Sequence, residues 1–195
     1  HIGLILGQLC GMTWTPGRMY VNLLLNGHYQ GVYLLIESVK RNPDCRLDVS
    51  KSGFICEADA YWWKEDFYIK STIDPAYAYT FKYPKKMKEE DEAEMSEYLA
   101  AFEQSLTQEN YGDYIDIASF ARWCLVQDLL GTYDSGGANR YYIRYERKPE
   151  SRLSMPCLWD FDMTEEILTS WSRCHTEHFA SLFDNPNPAF RDEYM

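Results

Sequence analysis

Asp134-Ser-Gly-Gly-Ala-Asn139, followed across a predicted two-strand excursion by Trp159-Asp160-Phe161-Asp162, decides how this chain is read. One carboxylate and one carboxamide sit in the first stretch, and two further carboxylates arrive in the second. All are hard oxygen donors of the kind that suits Mg²⁺. Phosphoryl transfer asks little covalent chemistry of a protein. It needs metal ions held by oxygen, phosphates held in line and a carboxylate beside the attacking hydroxyl. In that reading Asp134 accepts or orients the hydroxyl proton, and Asn139 offers its amide oxygen to the metal. Asp160 bridges the metals near the β- and γ-phosphates, and Asp162 joins it or orients metal-bound water. Trp159 and Phe161 are packing residues that fix the loop. Gly136 and Gly137 allow backbone conformations that other residues avoid and let a phosphate approach. The competing reading is a surface turn at Asp134 and plain loop carboxylates at Asp160 and Asp162. Either half alone favours that reading; both halves, ordered behind a helix, favour the site.

Upstream of Asp134, Asp116 is placed to cap a helix running to about Leu130, where Gly131 stops it. Before it, the spacing of Met95, Tyr98, Leu99, Phe102 and Leu106 predicts a helix over 88–106 with one apolar stripe. Lys85, Lys86 and Lys88 precede the acidic residues Glu89, Glu90, Asp91, Glu92, Glu94 and Glu97, whose charge complements the helix dipole; their role is structural. Arg140–Tyr145 and Leu153–Trp159 read as a hairpin around Glu146–Ser151. Nearer the start, residues 2–11 have helical spacing with Gly11 as a stop. Met19–Leu25 and Gly31–Val39 flank Asn26-Gly27, a tight-turn dipeptide, and form the clearest hairpin. Phe54–Ala58, Asp66–Ile73 and Thr80–Pro84 read as short strands around the aromatic trio Tyr61-Trp62-Trp63. A helix-like stretch near Glu165–Trp171 precedes the Pro/Asn-rich Asp184–Pro188.

The 195 residues suffice for one domain, and 46% apolar with 16% aromatic residues suffice for its core. A formal charge of −11 with no compensating basic cluster argues against a nucleic-acid groove. Six scattered cysteines with no C-x-x-C pair argue against structural zinc and leave disulfide pairing open. His175 and His178 have a spacing seen in ligand pairs, but with no third ligand apparent they are expected to be solvated. No apolar run is long enough to span a membrane. The chain opens mid-pattern and stops after Phe190–Met195 without a closing element, so it is expected to be cut at both ends.

The order carboxylate, x4, Asn, hairpin, Asp is also that of the protein-kinase catalytic loop and metal segment. Several stretches together resemble the CotH kinase family, atypical protein kinases associated with spore coats or secretion. They are Leu25-Asn-Gly-His-Tyr-Gln-Gly-Val-Tyr33 with Glu37 beyond, Phe81-Lys-Tyr-Pro84, Tyr114-Ile-Asp116, Asp134-x4-Asn139-Arg-Tyr-Tyr and Trp159-Asp-Phe-Asp162. No single motif is specific; their order is, and it covers roughly residues 1–195. The resemblance implies an α+β fold, a pared-down atypical protein-kinase-like one with antiparallel hairpins plus helices. It implies one domain over 1–195, with a small-lobe remnant of about 1–84 and a helical lobe of about 85–195 carrying the catalytic loop.

It also implies ATP- and Mg²⁺- (or Mn²⁺-) dependent phosphorylation of protein Ser/Thr hydroxyls, with a surface or coat protein as substrate and an extracellular, cell-surface or spore-coat location. Glu37, at the end of Val32–Val39, would be a nucleotide-binding hinge residue acting through its backbone or a ribose hydroxyl. The family's Ser-rich phosphate-cradling segment and nucleotide-contacting lysine lie upstream of residue 1. Lys70 and Lys82 are better read as surface strand lysines, so weak nucleotide affinity and little turnover are expected. Met163-Thr-Glu165 stands where a kinase metal Asp is usually followed by glycine. Two alternatives remain: a non-catalytic surface or coat protein using the kinase-like scaffold for binding, and a carbohydrate-binding module using Tyr61-Trp62-Trp63 and Trp171. Three adjacent aromatics more often close a core.

Overall fold

The computed structural model describes residues 1–132, 139–162 and 177–195. Its fold is mixed α+β with antiparallel sheets and, among the described residues, five α-helices. Helix α1 spans Ile2–Leu9, and Gly11 beyond it takes φ 77°. Strands β1 (Arg18–Leu25) and β2 (His28–Ile36) form the expected hairpin, with Asn26 at φ 51° and Gly27 at φ 79°. That pair of positive φ angles gives a turn whose twist matches the strands. The hairpin is apolar yet open on both faces: Met19, Tyr20, Leu24, Tyr29, Val32 and Leu35 are all exposed. Neither edge pairs with another described strand. A lone two-stranded ribbon is marginal in water, so its base needs fastening. Glu37 fastens it: its backbone N–H donates to Gly17 O at 3.0 Å, and its carboxylate accepts from Gly17 N at 2.7 Å.

The second sheet has five strands: β3 (Phe54–Asp59), β4 (Tyr68–Lys70), β5 (Ala78–Tyr83), β6 (Arg140–Arg144) and β7 (Leu153–Ser154). Their order in space is β4-β5-β3-β6-β7, so strands from both sides of residue 84 join in one sheet. On one face Phe54, Cys56, Phe81 and Tyr142 pack under α2 (Glu89–Ser105) and α3 (Ile117–Leu130), together with Phe102 and Phe120. On the other face Ile55, Tyr141 and Ile143 meet Val39, Leu47, Val49 and Cys157. The period of two along β3 and β6 assigns alternate residues to these two clusters.

Helices α2 and α3 form as expected: Met95, Leu99, Phe102 and Leu106 are buried and Tyr98 half-buried, Asp116 accepts from Ser119 N, and Gly131 caps α3 at φ 58°. Asp91 and Glu94 pair with Arg147, the latter at 3.1 Å. The second hairpin is shorter than expected, with only Leu153–Ser154 on the ladder. Pro156 has no N–H to give, and Met155 N donates instead to Ser119 Oγ at 3.0 Å.

Two further expectations need correction. The stretch from Phe190, expected to lack a closing element, belongs to a helix: α4 (Glu177–Asp184) and α5 (Ala189–Tyr194) bury Phe179, Leu182 and Phe190 in the main core. The Asp184–Pro188 linker is tied down by Asn185, which donates to Leu106 O at 3.0 Å and Gln108 O at 2.9 Å. The aromatic trio does not close a core either. Trp62 packs at a tilt against Tyr68, while Tyr61 and Trp63 stand exposed just before and on a one-turn 3-10 helix, Trp62–Lys64.

Candidate active site

Asp134 lies outside the described residues, as do Trp171, Cys174 and His175. The other expected site residues are described. Asn139 is half-buried and leads directly into β6 at φ 58°. Asp160 is exposed at φ 54°, and Asp162 is exposed two residues on. Among the described residues the only other non-glycine with positive φ is Asn26, in the hairpin turn. Left-handed backbone costs a non-glycine residue about 1–2 kcal/mol, with Asn and Asp best able to tolerate it. Outside the turn, then, left-handed backbone coincides with two of the three expected metal ligands.

Side-chain packing brings the two segments together. The ring of Tyr141, two residues after Asn139, meets the ring of Trp159, one before Asp160, edge-on at 6.2 Å between centroids. Trp159 and Tyr141 share the second apolar cluster with Val39, two residues beyond Glu37, and with Trp14. The exit of the first hairpin, the start of β6 and the segment before Asp160 therefore abut one cluster. Phe161 points the other way, into the main core, and α1 is pressed onto it. A Cβ added to Gly3 would fall 2.4–2.7 Å from three ring carbons of Phe161, and one on Gly7 would lie 2.6 Å from Leu158 Cδ1. Only glycine permits so close an approach of a helix to this segment.

Glu37 sits at the rim of a concavity of about 430 Å³ lined by Gly17, Arg18, Met19, Leu35, Ile36 and Arg46. Its backbone N–H and one carboxylate oxygen are engaged by Gly17, and Arg46 Nε approaches the other oxygen at 3.8 Å. A nucleotide contact through Glu37 would have to share this carboxylate. Both strand lysines are also engaged: Lys82 Nζ pairs with Glu57 at 2.8 Å, and Lys70 Nζ lies 4.9 Å over the Trp62 ring.

The donor set offered by Asn139, Asp160 and Asp162 is all oxygen, two of the three being exposed carboxylates, which fits Mg²⁺ or Mn²⁺ rather than zinc. Among the described residues no group of three or more His, Cys, Asp or Glu side chains converges on a point. The expected set has two carboxylates, and its third donor is the Asn139 amide.

Beneath β6 lies a polar cluster that sequence reasoning missed. His178 was expected in solvent; it is 1% exposed. Its Nε2 is 2.6 Å from Tyr77 Oη and 3.4 Å from Glu103 Oε1, and its Nδ1 is 3.3 Å from Tyr142 Oη. Burial holds its imidazole below the usual range, so it is neutral near pH 7. Glu103, also 1% exposed, accepts from Ser71 Oγ and Thr72 N at 2.6 Å each and from Tyr79 Oη at 2.7 Å. Arg140, fully buried, lays its guanidinium 4.6 Å from the Tyr77 ring centroid. The one sequence signal was a Glu inside the apolar stripe of α2, next to Phe102.

No helix among the described residues is long and apolar enough to cross a membrane. Comparison with curated proteins gave no match. A family model described as CotH kinase protein matches residues 9–192, nearly the whole chain, and the chain belongs to that family, which carries a kinase-like fold.

Proposed function

We propose that this chain is the nucleotide- and metal-binding part of an ATP-dependent protein Ser/Thr phosphotransferase. The observation that carries the reading is the coincidence of left-handed backbone at Asn139 and Asp160 with packing that joins their two segments through Tyr141 and Trp159. Strained backbone of this kind persists where surrounding structure holds it, and it concentrates at functional sites. Family membership supports kinase-like chemistry.

Bound Mg²⁺ would neutralise the charge that builds on the phosphate oxygens. Asp160 and Asp162 would hold it by their carboxylates and Asn139 by its amide oxygen. Asp134 would take the proton of the attacking serine or threonine hydroxyl as its oxygen bonds to the γ-phosphorus. The bond from that phosphorus to the bridging oxygen breaks, ADP leaves, and Asp134 returns the proton to solvent. The hairpin exit at Glu37–Val39 would border the base and ribose. A coat or cell-surface protein is the substrate that the family's associations favour, at the cell surface or on a spore.

Thermal unfolding with Mg²⁺-ATP tests this. A ligand that binds only the native state raises the midpoint. The rise is expected in the wild-type chain and absent in Asp160→Ala; Asp134→Ala should keep the rise and lose any turnover. A midpoint moved by polysaccharide and indifferent to Mg²⁺-ATP would point to the exposed Tyr61 and Trp63 as the working surface and overturn the kinase reading.

A further inference from the structure

Buried ionic and polar clusters are poor sources of stability: replacing them with well-packed apolar groups is often neutral or favourable. The cluster of Glu103, His178, Tyr77, Tyr142 and Arg140 therefore calls for another reason to exist. Its geometry supplies one. Arg140 and Tyr142 stand on the same face of β6, and Arg140 is the residue directly after Asn139. His178 belongs to α4, the first described helix after the Asp160–Asp162 segment. Polar and aromatic side chains link β6 to α4 here. Arg140 rests over the Tyr77 ring at 4.6 Å, and the Tyr77 hydroxyl lies 2.6 Å from His178 Nε2. Tyr142 closes the circuit on His178 Nδ1 at 3.3 Å. Glu103 anchors the imidazole to α2 and, through Ser71 and Thr72, to the β4–β5 connection. The imidazole ring is boxed edge-on by Phe102 at 5.4 Å and Tyr77 at 5.7 Å. A neutral imidazole with its proton on Nε2 can donate toward the Tyr77 oxygen and Glu103 while Nδ1 accepts from Tyr142.

We infer that His178 is a positioning residue: through Tyr77 and Tyr142 it fixes the start of β6, and so Asn139, against helices α2 and α4. This rests on the phosphotransferase reading and adds to it the group that holds the Asn139 donor of the metal site in place. Residues that orient metal ligands without touching the metal typically alter metal affinity by about 10–100-fold when replaced.

The test measures the Mg²⁺ concentration needed for half-maximal ATP binding by the full chain, with urea unfolding alongside. His178→Phe fills the same space without the hydrogen bonds, and it should raise the Mg²⁺ requirement by about 10-fold or more. Its urea midpoint should fall, since the Tyr77 and Tyr142 hydroxyls lose a buried partner. The Mg²⁺ requirement is read without urea, where the urea curve shows the variant folded. His178→Gln, which keeps part of the bonding, should recover some of the loss. Because His178→Phe could fail to fold, Tyr142→Phe supplies a milder probe: it removes one hydroxyl and should raise the requirement about threefold. An unchanged Mg²⁺ requirement in a folded His178→Phe, or in Tyr142→Phe if the former is unfolded, overturns the inference and leaves the phosphotransferase reading standing. A wild-type chain that binds no ATP at any Mg²⁺ concentration overturns both.

Discussion

Glu103→Gln takes one charge and almost no volume from the most heavily used side chain of the core. Burial pushes the Glu103 carboxyl up, but hydrogen bonds from His178, Ser71, Thr72 and Tyr79 outweigh it and bring the pKa from 4.5 to about 2. A displacement of that size corresponds to about 3 kcal/mol of folding stability at neutral pH. The sign follows from which state binds the proton first. The unfolded carboxyl protonates near 4.5 and the folded one only near 2, so the contribution is intact above about pH 4.5 and is lost as pH falls toward about 2. Glutamine cannot reproduce the native pattern, because its NH₂ must face donors already pointing inward. At least one buried donor then goes unmet, at about 1–3 kcal/mol. Urea unfolding at pH 7 should show the variant less stable by about 2–4 kcal/mol. Between pH 4.5 and 3 the wild type should lose stability more steeply than the variant. Neutral His178 also disfavours acid, since its folded pKa is depressed, but it does so from about pH 6.5 downward in both proteins. A loss below about 0.5 kcal/mol at pH 7, or equal acid slopes below pH 4.5, would refute the claim that these hydrogen bonds hold Glu103 ionised.

Three other substitutions probe the frame around the site. Gly3→Ala drives a methyl into the Phe161 ring; it should weaken Mg²⁺-ATP binding by displacing the Asp160–Asp162 segment, while costing about 1–3 kcal/mol by chemical denaturation. Gly53→Ala would place Cβ 2.4 Å from the carbonyl oxygens of Arg144 and Tyr145, which are backbone and cannot step aside. It should destabilise by about 2 kcal/mol or more, and a melting temperature equal to wild type would show that the β3–β6 contact is looser than described. Asp116→Ala removes the cap on Ser119 N and should cost about 1 kcal/mol, with no change in nucleotide binding.

The parts of the fold that were legible depend on neighbours along the chain. Asn26-Gly27 dictates its own turn; Asp116 and Gly131 mark the two ends of α3; the stripe from Met95 to Leu106 states which face of α2 is buried. What could not be read depends on partners far away in sequence. Glu103 finds Ser71, Tyr79 and His178 only in three dimensions. Helix α4 is eight residues long, too short for its periodicity to outweigh a neighbouring His, and nothing local shows that His178 turns inward. Tyr61 and Trp63 look like core by composition, but a one-turn 3-10 helix carries them outward beside β4. The site followed the same rule. Residue type nominated Asn139, Asp160 and Asp162, but their left-handed backbone and the Tyr141–Trp159 contact that joins them are tertiary facts.

Calorimetric titration of ATP into the wild-type chain and into Asp160→Ala, each with and without Mg²⁺, asks whether the nucleotide is held through a metal on Asp160. Binding in the wild type should require Mg²⁺ and disappear in Asp160→Ala. Heat of binding that ignores Mg²⁺, or that survives unchanged in Asp160→Ala, would contradict the kinase reading.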